Sequence, residues 1–311
     1  MPALTALSLA LLAGVLLDRW LGEPTRWHPL VGFGRAAGAL ERRLNRGTMR
    51  IGRGALAWAL VVLPPVALAV WVRQAGGMFA WALDAVLLMF CLGANSLAAH
   101  ARAVAAPLRT GDLSAARAQL ARIVSRDTDT LSAAEVAGAT TESVLENGHD
   151  AIFGALFWFL IGGGPAALLF RLANTLDAMW GYRTPRFERF GRLAARADDG
   201  LGWLPARLTA ATYALVGQSA RAWRCWRTQA PTWKSPNAGP VMAAGAGALG
   251  VSLGGPAPYH GRLEPRPALG EGAPPDADAP EAAIRLVEHS LRVWIGLTLF
   301  AGLIALGASH A

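Results

Sequence analysis

Lysine is all but missing from this chain: of its 29 basic side chains only Lys234 is not an arginine. Cysteine is equally scarce, with Cys91 and Cys225 alone. Two thiols so far apart exclude a disulfide framework and a cysteine-based zinc site, and read as small core residues. Charge is sparse as well. Only 16% of residues are charged while 53% are hydrophobic; a soluble domain carries about 25% charged residues, so the bilayer is the expected solvent. No Gly-x-x-x-x-Gly-Lys-Ser/Thr loop is present, which excludes the common P-loop mode of nucleotide binding. The Gly-x-Ser-x-Gly elbow and the His-Glu-x-x-His pair are absent too. No internal repeat is found. The net charge of +8 comes without a nucleic-acid recognition motif or a basic-aromatic face. It suits cytoplasmic loops held beside anionic lipid, or an anionic substrate.

What the chain does have is long uncharged runs. Residues 3–17, 54–72, 77–99 and 293–309 form the expected transmembrane set. The first lacks the basic start and cleavage site of a signal peptide, so a short helix is the better expectation. Pro64-Pro65 is expected to kink the second, and Asp84 is the one acid within the third. Residues 151–170 are also uncharged, but Gly162-Gly163-Gly164-Pro165 breaks them in the middle. The flanking loops are arginine-rich, with eight arginines against three acids over 18–53 and eleven basic residues against four acids over 171–237. Both should be cytoplasmic. A single crossing at 151–170 would put the second outside, whereas a re-entrant pair of half-helices avoids the conflict. The expectation is an all-α integral membrane protein of the cell (inner) membrane, multi-pass, with about four transmembrane helices plus a re-entrant or broken helical segment. Its polar site should face the cytoplasm, and residues 1–311 should form one domain. Glycines and prolines predict a loop over 240–259, and residues 263–281 predict a mobile surface loop.

Polar groups concentrate between Ser125 and Thr209. An acidic cluster between membrane-length apolar runs is costly unless it binds or reacts with something. Ser132-Ala-Ala-Glu135 is a capping box, and on the helix it starts Glu135, Glu142, Glu146 and Asp150 share one face. That stripe is either a solvated face or a site whose oxygens suit Mg²⁺ carrying a nucleotide phosphate. Asn174-Thr175-Leu176-Asp177 follows the broken segment, and Asp198-Asp199 comes later, more acid than a helix cap needs. Arg189, Arg192 and Arg196 fall at helical spacing; they could hold phosphate or carboxylate, or pair with Glu188 and lipid headgroups. Lys234-Ser235-Pro236-Asn237 puts an ammonium, a hydroxyl and an amide on a tight turn, and Glu23-Pro-Thr-Arg-Trp-His28-Pro29 is a rigid polar turn after the first helix. A transporter would place charges inside the spans, which hold only Asp84. A membrane scaffold would tolerate loss of Asp127, Glu146 or Asp198; an enzyme would not.

Together these residues resemble the CobD/CbiB family of cobalamin biosynthesis, the adenosylcobinamide-phosphate synthases. The likeness runs through Gly22-Glu-Pro…His28-Pro29, Ser125-Arg-Asp-Thr128, Glu142…Glu146-Asn147…Asp150, Asn174-Thr-Leu-Asp177, Asp198-Asp199, Pro205-Ala-Arg-Leu-Thr209, Ser235-Pro-Asn-Ala-Gly239 and Leu253-Gly-Gly-Pro256. It implies a membrane enzyme that joins (R)-1-aminopropan-2-ol, or its O-phosphate, to a propionate of adenosylcobyric acid, using ATP and Mg²⁺. The resemblance implies catalytic roles for Glu146, as base, with Asp127 and Asp150. It implies metal binding by Asp177, Asp198 and Asp199, with Asp127 and Asp150 as further oxygen donors. Substrate contacts are implied for Arg126, Thr128, Glu142, Asn147, Asn174, Arg192, Arg196, Arg207, Lys234, Ser235 and Asn237. Implied partners are the corrinoid, the amino alcohol phosphate, membrane lipid and other cobamide-pathway membrane enzymes. The chain departs from the family pattern at Pro240-Val-Met242, where the family has Trp-Pro-Glu.

Overall fold

A computed structural model describes residues 3–22, 29–259 and 261–309. The polar turn at Glu23–His28, with its part of the family likeness, lies outside the described residues. The chain is overwhelmingly helical and divides into two compact units, one of residues 1–93, 150–202 and 295–311, the other of residues 94–149 and 203–294. Among the described residues, five stretches are long and apolar enough to cross a membrane: Ala3–Leu21, Arg50–Arg73, Gly77–Arg109, Ala133–Trp180 and Ala279–Ala308. The protein is an all-α integral membrane protein.

The first unit contains α1 (Ala3–Leu21), α2 (Pro29–Leu44), α3 (Arg50–Arg73), α4 (Gly77–Cys91) and α8 (Gly154–Trp180). It also takes the start of α9 (Arg192–Val216) and the end of α12 (Ala279–Ala308). Helix α1 docks on α12 through buried hydroxyls: Thr5 Oγ1 donates to the Gly302 carbonyl at 2.8 Å and Ser8 Oγ to that of Thr298 at 2.9 Å. In an apolar setting such bonds give packing a register that dispersion alone does not. Val61, Val62, Leu172, Leu176, Trp180 and Phe190 make a core, with the Trp180 and Phe190 rings edge-to-face at 5.1 Å. Helix α3 runs on through Pro64-Pro65.

The glycine break in α8 is real and has a partner. Gly162 (φ −142°, ψ 19°) and Gly163 (φ 69°, ψ −160°) leave helical space, and Gly163 adopts a conformation that a side chain would strain. The break frees the amide of Gly164, which donates to Asp84 Oδ1 at 2.8 Å, while Arg73 Nε donates to the same carboxylate at 3.0 Å. The lone acid of the third apolar run thus caps the second half of a broken helix and is itself neutralised by an arginine. That run is also divided. In place of one helix over 77–99 the chain ends α4 at Cys91, turns extended at Leu92 and begins α5 (Ala94–Arg109). Asp198-Asp199 is not a cap either: both lie inside α9, and Arg189 precedes that helix, so only Arg192 and Arg196 share it.

The second unit comprises α5, α6 (Leu113–Leu120), α7 (Ala133–Gly148), the rest of α9 and α10 (Ser219–Gln229). It is completed by α11 (Ala238–Leu249), four short strands among the described residues and the start of α12. Val104, Leu108, Leu120, Leu131 and Val136 form its core around α5–α7. The capping box at Ser132 and Glu135 starts α7 as expected.

One expectation is corrected in this unit. The glycine-rich loop predicted over 240–259 is helix α11 as far as Leu249, buried on every side. Pro240 sits in the first turn, where its missing N–H goes unused, and Gly250 ends the helix in the left-handed region at φ 71°. Gly245 is needed because Leu145 of α7 stands where a Cβ would be, 2.6 Å away. Close packing and full burial outweigh the poor intrinsic propensity of glycine. The segment 263–281, expected as loop, contributes strands and the first turn of α12. β1 (Leu253–Gly254) pairs antiparallel with β4 (Ala268–Leu269), and β2 (Ala257–Tyr259) with β3 (Arg262–Glu264). Salt bridges from Arg109 to Asp278 (2.9 Å) and Arg102 to Glu281 (3.1 Å) hold its end on α5.

Candidate active site

Helix α7 carries the centre of the second unit's polar site. Ala139, Glu142, Ser143, Glu146 and Asn147 recur at intervals of three and four, so they face one way. They line a cavity of about 370 Å³ together with Arg126, Trp233, Lys234, Met242, Tyr259, Glu264 and Arg266. Five residues expected to act together, Arg126, Glu142, Glu146, Asn147 and Lys234, therefore do share one wall.

Glu142 is the hub. Its side chain is only 5% exposed, and it accepts from Arg126 Nη2 at 2.5 Å, from Arg266 Nη2 at 2.9 Å and from the Gly254 amide at 2.8 Å. Arg126 and Arg266 are themselves 11% and 13% exposed. Burial works against the charge of Arg266, but Glu142 beside it more than compensates and holds the guanidinium above its usual pKa. Arg266 also donates from Nε to the Gly255 carbonyl at 3.0 Å and lies 5.4 Å over the Trp233 ring. Desolvating three ions is a poor way to stabilise a fold, since an apolar trio of the same volume does as well or better. Two guanidiniums fixed around one carboxylate do, however, leave excess positive charge and spare N–H donors toward the cavity.

Other expected residues are placed elsewhere. The Asp127 carboxylate accepts from the Gly261 amide at 2.7 Å, and its own amide donates to Pro258 at 3.0 Å, so it clasps the β2–β3 turn. Thr128 is buried, and its carbonyl accepts from the Leu131 amide. Ser235 Oγ accepts from the amides of Asn237 and Ala238, starting α11, with Asn237 buried as its N-cap. Arg207 lies 4.0 Å over Trp203 and donates to that residue's carbonyl at 2.7 Å.

The remaining expected residues belong to the first unit. Asp150 lies in a π-helical turn, His149–Phe153. Asn174 Nδ2 donates to Asp198 Oδ1 at 3.2 Å, and Asp177 and Asp199 stand within electrostatic reach of each other. Burial pushes the Asp199 carboxyl up, with Arg183 opposing it. Arg192 and Arg196 are exposed on α9. Among the described residues no three His, Cys, Asp or Glu side chains converge as a metal cage. Mg²⁺ that arrives on nucleotide phosphates needs only one or two carboxylates, and the Asp177–Asp199 pair meets that smaller demand.

Sequence reasoning missed Arg266, Trp233, Tyr259 and Glu264. One signal was available: Glu264-Pro265-Arg266-Pro267 sets a single arginine between two prolines, a stiff mount in a segment otherwise expected to move.

The chain is similar to known proteins along nearly its whole length. The CobD/Cbib protein family model matches residues 11–287. The cobalamin biosynthesis protein CobD of Chromobacterium violaceum is 55% identical over 305 residues, covering 96% of this chain and 97% of the relative. Its counterpart in Stutzerimonas stutzeri is 56% identical over 296 residues, covering 94% and 97%. That of Mycobacterium tuberculosis is 42% identical over 283 residues, covering 86% and 87%. No solved structure matches the chain. With a family model matching residues 11–287 and relatives aligned over nearly their whole length, this chain belongs to the CobD/Cbib family.

Proposed function

We propose that this protein works in cobalamin biosynthesis as an acid–amine ligase of the inner membrane. In this reading it joins aminopropanol, or its phosphate, to a propionate of adenosylcobyric acid. The pathway rests on family membership. The reaction class rests on one observation: a cavity that sets three cations, Arg126, Arg266 and Lys234, beside the carboxylate of Glu146. Amide formation needs anions held close to an amine whose proton has somewhere to go. The guanidiniums fixed by Glu142 hold phosphate or carboxylate oxygens in paired hydrogen bonds. Glu146, which forms no salt bridge among the described residues, takes the ammonium proton so that the nitrogen lone pair is available for attack.

A propionate does not react with an amine unaided, and Mg·ATP would supply its activation when bound; taken by itself, the first unit offers Asp177 and Asp199 as carboxylates for a metal. The arginine-rich segments favour the cytoplasm as the side of the site. Lipid and other membrane enzymes of the pathway are the expected company.

The test is a mass-spectrometric assay on detergent-purified protein with adenosylcobyric acid, aminopropanol phosphate, Mg²⁺ and ATP, each omitted in turn. The expected product is the amide, lost without ATP. Folded, corrinoid-binding protein that forms no amide would instead point to a scaffold.

A further inference from the structure

Helix α9 is packed inside out from Trp203 onward. Its buried side carries mainly small groups: Ala206, Thr209, Ala210 and Ala214 are fully enclosed, with Tyr213 as the one large side chain among them. Its open side carries the bulk, Trp203, Leu204, Leu208 and Leu215, the last 69% exposed. Leu204, Leu208, Ala211 and Leu215 follow at intervals of four, three and four, which aligns them in one stripe. A helix in water buries its larger apolar groups. Small residues at the helix contact with large ones outward is the arrangement of a helix that faces hydrocarbon. The stripe is also concentrated rather than scattered. Among the described residues of the second unit six large hydrophobic side chains are exposed, and four of them are these; Trp223 and Leu263 are the others.

The two flanks of the stripe show what covers it. On one, Arg207 turns its guanidinium back toward the start of the segment, 4.0 Å over the Trp203 ring, and donates to the Trp203 carbonyl at 2.7 Å. A long basic side chain beside lipid is drawn to the polar boundary in this way, and tryptophan is enriched at the same depth. On the other flank Thr212 Oγ1 accepts from Trp294 Nε1 at 3.0 Å. Trp294 stands at the start of the uncharged run 293–309 of α12, one of the helices apolar enough to cross a membrane. The segment itself is too short to cross. Residues 203–216 make about 21 Å of helix against a hydrocarbon core of about 30 Å. Charge stands at both ends, Asp198-Asp199 before it and Arg221, Arg224 and Arg227 after it.

We infer that residues 203–216 of α9 lie in one leaflet of the bilayer, with Leu204, Leu208 and Leu215 among lipid tails and Trp203 and Arg207 at the headgroups. This makes the segment a membrane contact additional to the five apolar stretches, inside a region whose arginines alone read as a cytoplasmic loop. It also seats the candidate site. From the buried face Tyr213 Oη donates to the Leu145 carbonyl of α7 at 3.1 Å, and Gly148 has no room for a side chain beside that hydroxyl. The helix that carries Glu142 and Glu146 is therefore one helix away from lipid.

Wild-type full-length protein in nanodiscs, made with a phospholipid that carries a photoactivated carbene on its acyl tail, tests this without any substitution. Peptide mapping should find label on Leu204, Leu208 and Leu215 at a yield within about threefold of that on Leu297, Phe300 and Leu303 of α12, exposed residues that serve as the standard. A stripe left unlabelled while α12 is labelled would overturn the inference. Spin labels then separate lipid from two other neighbours, water and a second copy of this chain. In Leu208→Cys and Leu215→Cys, collision with oxygen relative to a water-soluble nickel chelate should exceed that in Asp129→Cys, at an exposed loop position, by about tenfold or more. A ratio equal to that of Asp129→Cys would put the face in water. Dipolar broadening at Leu208→Cys that vanishes on dilution with unlabelled protein would put a second copy there. Either result refutes the lipid assignment. Cys91 and Cys225 are buried, so the parent protein supplies the blank. Both readouts are taken on resting protein, so failure of the ligase reading leaves them untouched.

Discussion

Each unit holds a buried carboxylate bound by arginine and by a backbone amide, Asp84 in the first and Glu142 in the second, and the two have different consequences. In the first, Asp84 accepts from one arginine, Arg73, and one backbone amide, that of Gly164. In the second, Glu142 accepts from two arginines and one backbone amide, that of Gly254. The added arginine is what matters. Asp84 and Arg73 cancel, and the cavity beside them, about 580 Å³, is lined chiefly by Ala3, Ala6, Leu7, Leu9, Met78 and Trp81. Glu142 is overbalanced, and its cavity is lined by charge. A neutral pair can serve structure in an apolar setting, whereas an unbalanced triad is costly unless a ligand completes it.

That contrast can be broken experimentally, and Glu142→Gln should do the most. It leaves two mostly buried guanidiniums facing a neutral amide, so stability should fall by about 3–5 kcal/mol and amide formation should be lost. Thermal unfolding in nanodiscs alongside the assay reads both, and adding Arg266→Met to Glu142→Gln should restore part of the stability, since Arg126 stays unpaired, but not activity. Gly163→Ala forces a side chain into a left-handed conformation and should cost about 1–3 kcal/mol. Its KM for the amine should be unchanged, because the strain falls on the structural carboxylate's unit.

Asp84→Asn keeps an oxygen for the Gly164 amide and loses only the charge. Because Arg73 is 40% exposed and can turn to water, the cost should be about 1–2 kcal/mol. A loss of turnover in Asp84→Asn equal to that in Glu142→Gln would erase the distinction between the two carboxylates.

The smallest effect should come from Glu41 on α2. The hydrogen bond from Arg186 holds this carboxyl below the usual range, burial opposes it, and Asn45 assists. A lowered folded-state pKa contributes stability above the ordinary carboxylate range that disappears as pH falls through the lowered value. Melting of the wild-type protein should therefore drop on acidification, and Glu41→Gln should flatten that drop. The amount is about 1 kcal/mol or less, because Arg186 is largely in water.

How much was legible in advance depends on the range of the interaction. The capping box at Ser132–Glu135 and the break at Gly162-Gly163 are local signals, set by side chains within one turn of the backbone they affect, and both appear where expected. The shared face of Glu142 and Glu146 followed from helical spacing. Helix α11 did not follow, because its glycines make sense only once Leu145 is seen to pack against one of them. Asp127 looked as promising as Arg126 in sequence, yet its carboxylate is occupied by a loop amide 134 residues away.

The sequence by itself determined the solvent, the helical class, the family and the polar stretch, because composition and periodicity are properties of neighbours along the chain. Only the tertiary structure decided which acids are structural and which face a cavity. A carboxylate's role depends on how many cations reach it, and for Glu142 one of those, Arg266, arrives from 124 residues downstream.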